Sequence, residues 1–358
     1  MQLSSIPNRF MAPSLQPVFD GQDFKPLLQT IDEGRSRLDL ALNLHCIRDG
    51  FFSMEPGRDG IIFLPDGKPL RETALFGQPP LPDPATLRAR AVPLDEDVVV
   101  VVDCAWRNYY HWLCLAVPKM LMSRRIAGFG ARIAIPDYDS HHATGWPIAY
   151  GREVWRQSLA MTGLDAHALQ LPPGLYRAPR IYTLWLDDPQ PGLLPCCPDY
   201  DRLFDPVRAQ LTPDPASPKR LHVARRSDAR VDPAESAAIE AEAERLGFTR
   251  IHLEDHDFRA QAQLFCNAEV VLAAHGAGLS NMLFGPPTLQ VLELNRFLDG
   301  EQHLRPWYYL LAAARGQGHH HLNGSRGEFA RPLLRGALER VCTRGARPAD
   351  GPWWRLPA

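Results

Sequence analysis

The stretch "AAHGAGLSNMLFGPP", Ala273 to Pro287, joins a strand end, a glycine turn and the opening of a helix. Gly276 and Gly278 let the backbone come close to a bulky ligand. A helix that starts there offers unpaired N–H groups and the positive end of its dipole. That is the chemistry of an anion site, most naturally for phosphate. His275, Gly276, Ala277, Gly278, Leu279, Ser280 and Asn281 form this first candidate site, and a plain strand-to-helix turn is the alternative. "RLHVARRSDAR" places Arg225 and Arg230 just past another strand, where guanidinium forks can bind diphosphate oxygens bidentately. Arg226, between them, reads as solvated surface. Glu293 in "LQVLELN" stands near the end of a third strand, where a carboxylate can accept hydrogen bonds from a ribose. An ion pair or a capping role is its alternative. Together these residues describe a pocket for a nucleoside diphosphate.

Other nucleotide signatures fit less well. The dinucleotide fingerprint fails because Asn281 occupies its third glycine position and the motif lies late in the chain. No Gly-Lys-[Ser/Thr] follows the glycines, which excludes a Walker loop. "DYD" occurs at 137–139 and again at 199–201, the tripeptide of metal-nucleotide sites, but one that arises readily in turns. No metal is expected. The triple His at 319–321 cannot easily ligate one ion, since neighbours on a strand point to opposite faces. It reads as a strand with a surface function or none.

The elements that must position these residues follow from periodicity and punctuation. From 220 onward the rhythm is regular: strands at 220–225, 249–254, 269–275 and 289–295, helices at 232–248 and 257–268, a helix beginning at 278, a further helix at 307–316 and a last strand in "HHHLNG". Alternating strands and helices imply a parallel sheet, with ligands at the carboxyl ends of its strands. Upstream, residues 1–95 read as loops and short strands, 60–67 among them. "VPLDEDVVVVVD" (92–103) contains a buried parallel-type strand, and "NYYHWLCLAVPKMLMSRRI" (108–126) is a helix kinked or split by Pro118. Strands at 130–137 and 180–185 flank a helix at 151–164. Proline and turn formers thicken over 187–219, which sets the boundary: a first domain at 1–205, a nucleotide-binding domain at 206–324, and a tail at 325–358 packing back on the first.

Bulk properties agree. The chain has 358 residues, 45% hydrophobic and 22% charged, enough for two globular domains. A net charge of −2 argues against a mainly electrostatic nucleic-acid binder. Seven cysteines without a CxxC support neither a zinc knuckle nor a disulfide framework. No secretory leader or membrane span is read, so a cytoplasmic protein is expected, compatible with a peripheral membrane association. Oligomeric state is not legible.

"HGAGLSNMLF…PP…VLEL", preceded by Arg225-x4-Arg230, an acidic helix and "QAQLFCNAEVVLAAH", resembles glycosyltransferase family 61. "NYYHWLCLAVPKML" resembles the family's Asn-x-x-His-Trp helix, with Lys119 where the family usually has Arg, and the likeness covers about 100 to 315. Glu235 stands near the family's acidic position, and Ala260 replaces its acidic residue before Gln261. The resemblance implies an α/β protein of GT-B type: two Rossmann-like domains facing a central cleft, the C-terminal one holding a nucleotide sugar, UDP by family habit, and the N-terminal one a glycan, lipid-linked or protein acceptor. It implies an inverting reaction in polysaccharide biosynthesis. The acceptor hydroxyl must then lose a proton as it attacks, and the leaving diphosphate must be neutralised. His111 is the first choice of base, Asn108 orients it or the acceptor, and Asp103 is the reserve base. His275 donates to the diphosphate or fixes its loop. A non-catalytic sugar-nucleotide-binding or assembly protein is the alternative function, disfavoured by the intact "NYYHWL".

Overall fold

The computed structural model describes residues 2–10, 38–74, 80–127, 130–186, 194–195, 197, 200–226, 233–296, 307–324 and 331–343. The chain divides into two compact units, the first Met1–Arg9 with Asp39–Pro206, the second Phe10–Leu38 with Val207–Ala358. Both are α/β. No helix among the described residues is long and apolar enough to cross a membrane.

The first unit is built on an eight-stranded sheet. Its strands are β1 (Gln2–Phe10), β2 (Leu38–Ser53), β3 (Ile62–Phe63), β4 (Val92–Pro93), β5 (Val98–Val99), β6 (Arg132–Pro136), β7 (Ala168–Leu171) and β8 (Leu175–Leu186). The order is β1-β2-β8-β5-β6-β7, with β3 on β2 and β4 on β8. β8, β5, β6 and β7 run parallel, whereas β2 pairs antiparallel with β8 over its length, from Leu42 opposite Leu186 to Ser53 opposite Leu175. The sixteen-residue β2 lies where the sequence suggests only loops and short strands. The valine run 98–102 is buried, as a strand covered on both faces requires.

After a turn at 104–108 the chain enters a helix that is not split. It opens as a π-helical segment, His111–Ala116, and continues as α1 (Val117–Ala127). Pro118 has no N–H to give to the carbonyl of Cys114, four residues back. The buried Tyr200 hydroxyl donates to that oxygen instead, at 2.8 Å. α2 (Arg152–Thr162) follows, ended by Gly163 in the left-handed region, and its Ser158 accepts from the buried Trp112 Nε1 at 2.8 Å.

The second unit carries a five-stranded, wholly parallel sheet in the order β10-β9-β11-β12-β13: β9 (Arg220–Val223), β10 (Thr249–Ile251), β11 (Val270–Ala274), β12 (Gln290–Arg296) and β13 (Gly318–Gly324). α3 (Pro233–Arg245), α4 (Phe258–Asn267), α5 (Trp307–Arg315) and α6 (Arg331–Thr343) complete it. One core cluster joins Leu272, Leu292, Leu294 and Leu322 of the strands to Ile239 and Ala243 of α3 and to Leu334, Ala337, Leu338 and Val341 of α6. The described part of the C-terminal tail thus contributes to the second unit's own core. The helix expected to begin at 278 is instead an eight-residue 3₁₀ helix, Ala277–Phe284. Gly285 and Pro286 end it: the chain is extended at Gly285, and proline cannot continue a helix.

Candidate functional site

In the second unit the parallel strands bring three chain segments to one edge. β9 and β11 pair in register at Val223 and Ala273, and β11 and β12 at Ala273 and Glu293. Arg225 follows β9 by two residues and His275 follows β11 directly. The His275 N–H still belongs to the ladder, donating to Leu294 O at 2.9 Å. The Arg225 guanidinium donates through Nη2 to the His275 carbonyl. Its tip lies over Gly276: a Cβ at 276 would stand 1.8 Å from Arg225 Nη2. Gly278 answers to a different neighbour, since a Cβ there would meet Leu253 Cδ1 at 2.7 Å.

The candidate turn divides in two. His275, Gly276, Ala277 and Gly278 are part-exposed, and Leu279, Ser280 and Asn281 are buried. Asn281 Nδ2 donates to Gln261 Oε1 at 3.0 Å and to Gly278 O at 3.2 Å. Gln261 in turn donates to the Leu253 and His256 carbonyls. The buried Ser280 and Asn281 therefore belong to the side of the turn that packs inward, with Asn281 bracing it against α4, and the surface open to a ligand is residues 275–278 with Arg225. Arg226 pairs with Asp255 at the surface. Arg230 lies outside the described residues.

Glu293 has the environment of the ion-pair alternative of its sequence reading. Its side chain is 0% exposed. One oxygen accepts from His275 Nδ1 and the other stands 3.0 Å from His319 Nε2. His319, read as part of a surface strand, is 1% exposed. The signal for it was available: on a strand parallel to β12, residues 319 and 321 share a face, and 319 lies opposite Val291, two residues from Glu293. What the sequence does not give is that this face is covered.

In the first unit a second histidine–carboxylate pair follows another parallel strand. Asp103 comes just after the buried valines, and its Oδ1 accepts from Ala105 N at 2.9 Å. His111, 22% exposed, has Nδ1 at 3.5 Å from the same oxygen. Asp103 thus faces the His111 ring. Asn108 caps the helix start: its Oδ1 accepts from Tyr110 N at 2.9 Å and its carbonyl from Trp112 N at 3.0 Å. Burial pushes the Asp103 carboxyl up, but His111, the Lys119 cation and the Ala105 N–H outweigh it and hold it below the usual carboxylate range. Lys119 is itself buried. That burial lowers its pKa, against the pull of Asp103. The sequence marks Lys119 as a variant position but does not reveal it as the counter-charge of Asp103. The "DYD" at 137–139 is spent locally: Asp137 caps the short helix Tyr138–His142 through Ser140 N, and Asp139 pairs with Arg152 at 2.8 Å.

A profile of the family described as glycosyltransferase 61 matches residues 109–292, which is 184 of 358 residues and more than half of the chain. The chain belongs to glycosyltransferase family 61. It is a glycosyltransferase, with a sugar donor and an acceptor as its substrates in general. The family match runs from the start of the His111 helix through the glycine turn to β12 and so contains His111, Lys119, Arg225 and His275–Asn281. Asp103, Glu293 and His319, the three side chains that complete the two histidine clusters, lie outside it. No curated protein matches the chain.

Proposed function

We propose that this glycosyltransferase moves a sugar from a UDP-linked donor to a hydroxyl of a glycan, in polysaccharide synthesis, by one displacement that inverts the anomeric carbon. The second unit holds the donor and the first the acceptor, the division of labour of a GT-B enzyme. The acceptor oxygen bonds to the anomeric carbon as the bond from that carbon to the diphosphate oxygen breaks. The hydroxyl proton passes to His111 Nε2, the ring nitrogen turned away from Asp103, and the electron pair of the broken bond leaves with the diphosphate. Arg225, Arg230 and the N–H groups of the turn meet the leaving charge. Asp103 acts as the positioning group for His111, with Lys119 keeping that carboxylate ionised.

One observation carries the reading: in a family 61 chain, the part-exposed glycine turn at the carboxyl end of β11 lies under the guanidinium of Arg225. The test is calorimetry with UDP and uridine, followed by a hydrolysis screen over a panel of nucleotide sugars. UDP is expected to bind more tightly than uridine, and at least one UDP-sugar to be hydrolysed. Failure to bind any nucleoside diphosphate would refute the donor assignment.

A further inference from the structure

The histidine of the glycine turn is held from behind by groups that the transfer reaction does not itself require. Glu293 is fully buried on β12, and each of its oxygens meets a histidine nitrogen: Oε1 that of His275 at the end of β11, Oε2 that of His319 on β13. A carboxylate only accepts hydrogen bonds. The proton between His275 and Glu293 therefore sits on His275 Nδ1, while His319 Nε2 stands 3.0 Å from the second oxygen. Both rings are also fixed by neighbouring residues of α5: Tyr308 meets His275 edge-on at 5.2 Å between ring centres, and Tyr309 meets His319 at 6.0 Å. With Nδ1 committed to Glu293, Nε2 is the second ring nitrogen of a side chain that is 19% exposed, and the backbone carbonyl of the same residue carries Arg225.

Resting on the donor reading above, we propose that Glu293 and His319 are positioning residues that lock the His275 tautomer, and that His275 Nε2 takes up one proton as the diphosphate binds and shares it with a phosphate oxygen. Among the described residues, the charged groups that face His275 are Glu293 from β12, with His319 behind it on β13, and Arg225 from the end of β9. Tyr308 is the phenol on its α5 side. Arg225 opposes a second positive charge here and Glu293 supports it. The incoming diphosphate tips the balance, because an added anion within hydrogen-bonding distance favours the charged imidazole. The proton comes from solvent and leaves with the product nucleotide or returns to solvent.

Calorimetric titration in buffers of different ionisation enthalpy, at a pH where the free nucleotide is fully ionised, counts protons taken up. UDP is expected to take up about one proton and uridine none. Glu293→Gln, which keeps the volume but offers an amide in place of one carboxylate oxygen, should abolish the uptake and weaken UDP at least tenfold with uridine affinity unchanged. His319→Gln keeps a donor toward Glu293 and should retain both properties, whereas His319→Leu should lose them. Equal behaviour of the two His319 variants, or UDP binding without proton uptake in the wild type, overturns the proposal. Nitrogen-15 NMR of the histidine rings reads the tautomer without any ligand. His275 protonated on Nδ1 in the wild type, and no longer so in Glu293→Gln, supports the relay even if UDP proves not to be the donor nucleotide. His275 protonated on Nε2 alone in the free protein refutes it.

Discussion

Gly276→Ala is a change of one methyl group whose effect should appear in ligand affinity and not in stability. The backbone at Gly276 is extended, with φ of 171°, a conformation open to alanine. A Cβ there would lie 1.8 Å from Arg225 Nη2 and 2.9 Å from its Cζ, so the guanidinium must move. It is the far end of a flexible side chain and can do so at a cost of about 1 kcal/mol or less in folding. What it gives up is its bond to the His275 carbonyl and its place above the turn. A charge-assisted hydrogen bond is worth about 1.5–3 kcal/mol, so UDP should bind roughly ten- to a hundredfold more weakly, with uridine unchanged. Arg225→Ala should show the same pattern. The decisive measurement is the double mutant by calorimetry: if the alanine acts by displacing Arg225, Gly276→Ala with Arg225→Ala should be no worse than Arg225→Ala alone. Additive losses, or a Gly276→Ala variant that binds UDP normally, would show that the guanidinium does not serve the diphosphate from this position.

Gly278→Val should act in the opposite way: its Cβ strikes Leu253 at 2.7 Å, so it should destabilise the second unit by about 1–3 kcal/mol, and a melting temperature equal to the wild type would refute that packing argument. His111→Ala should retain UDP binding and lose transfer by about 10²–10⁴-fold; wild-type turnover in the mutant would remove His111 as base. His222 on β9 is lowered from 6.5 to about 4, mainly by burial, with Arg250 and His252 adding and Glu240 opposing. It is neutral in the fold while the unfolded chain takes up its proton, so stability is lost as pH falls through this window. From pH 6.5 to 4 the loss should reach about 3 kcal/mol. Urea unfolding at both pH values should show that loss in the wild type and not in His222→Leu, and equal slopes would contradict it.

The second unit was legible because its signals are local. β11 and β12 hold short apolar runs, each strand segment is spaced by a helix pattern or a turn, and parallel β-α alternation leaves little choice of sheet. The first unit was less so. β2 pairs with β8 across more than a hundred residues, and no turn chemistry near either strand announces an antiparallel partner so distant. The candidate site shows the same contrast. The glycines, Arg225, His275 and His111 could be named from residue type and spacing, since they follow strand ends or open a helix. Burial could not. Whether Glu293 looks toward a ligand or between two histidines depends on what covers β12, and "HHH" carries no trace of which face is inside. Asn281 was likewise a residue able to bind a ligand by type, whose amide is engaged by Gln261, twenty positions earlier.

The π-helical segment His111–Ala116 has a mechanical corollary. There Val117 N donates to Trp112 O, five residues back instead of four, so the segment carries one residue more than an α-helix of the same turns. The extra residue is absorbed within the wide turn, so the residues on either side keep nearly the phase of an unbroken α-helix. Deleting one residue from within 112–116 should let the helix relax to α geometry with His111 still in phase with Lys119. The same deletion in a regular α-helix would rotate everything beyond it by about 100°. The wide turn thus makes this stretch of the helix tolerant of a change in chain length that a regular helix would not absorb.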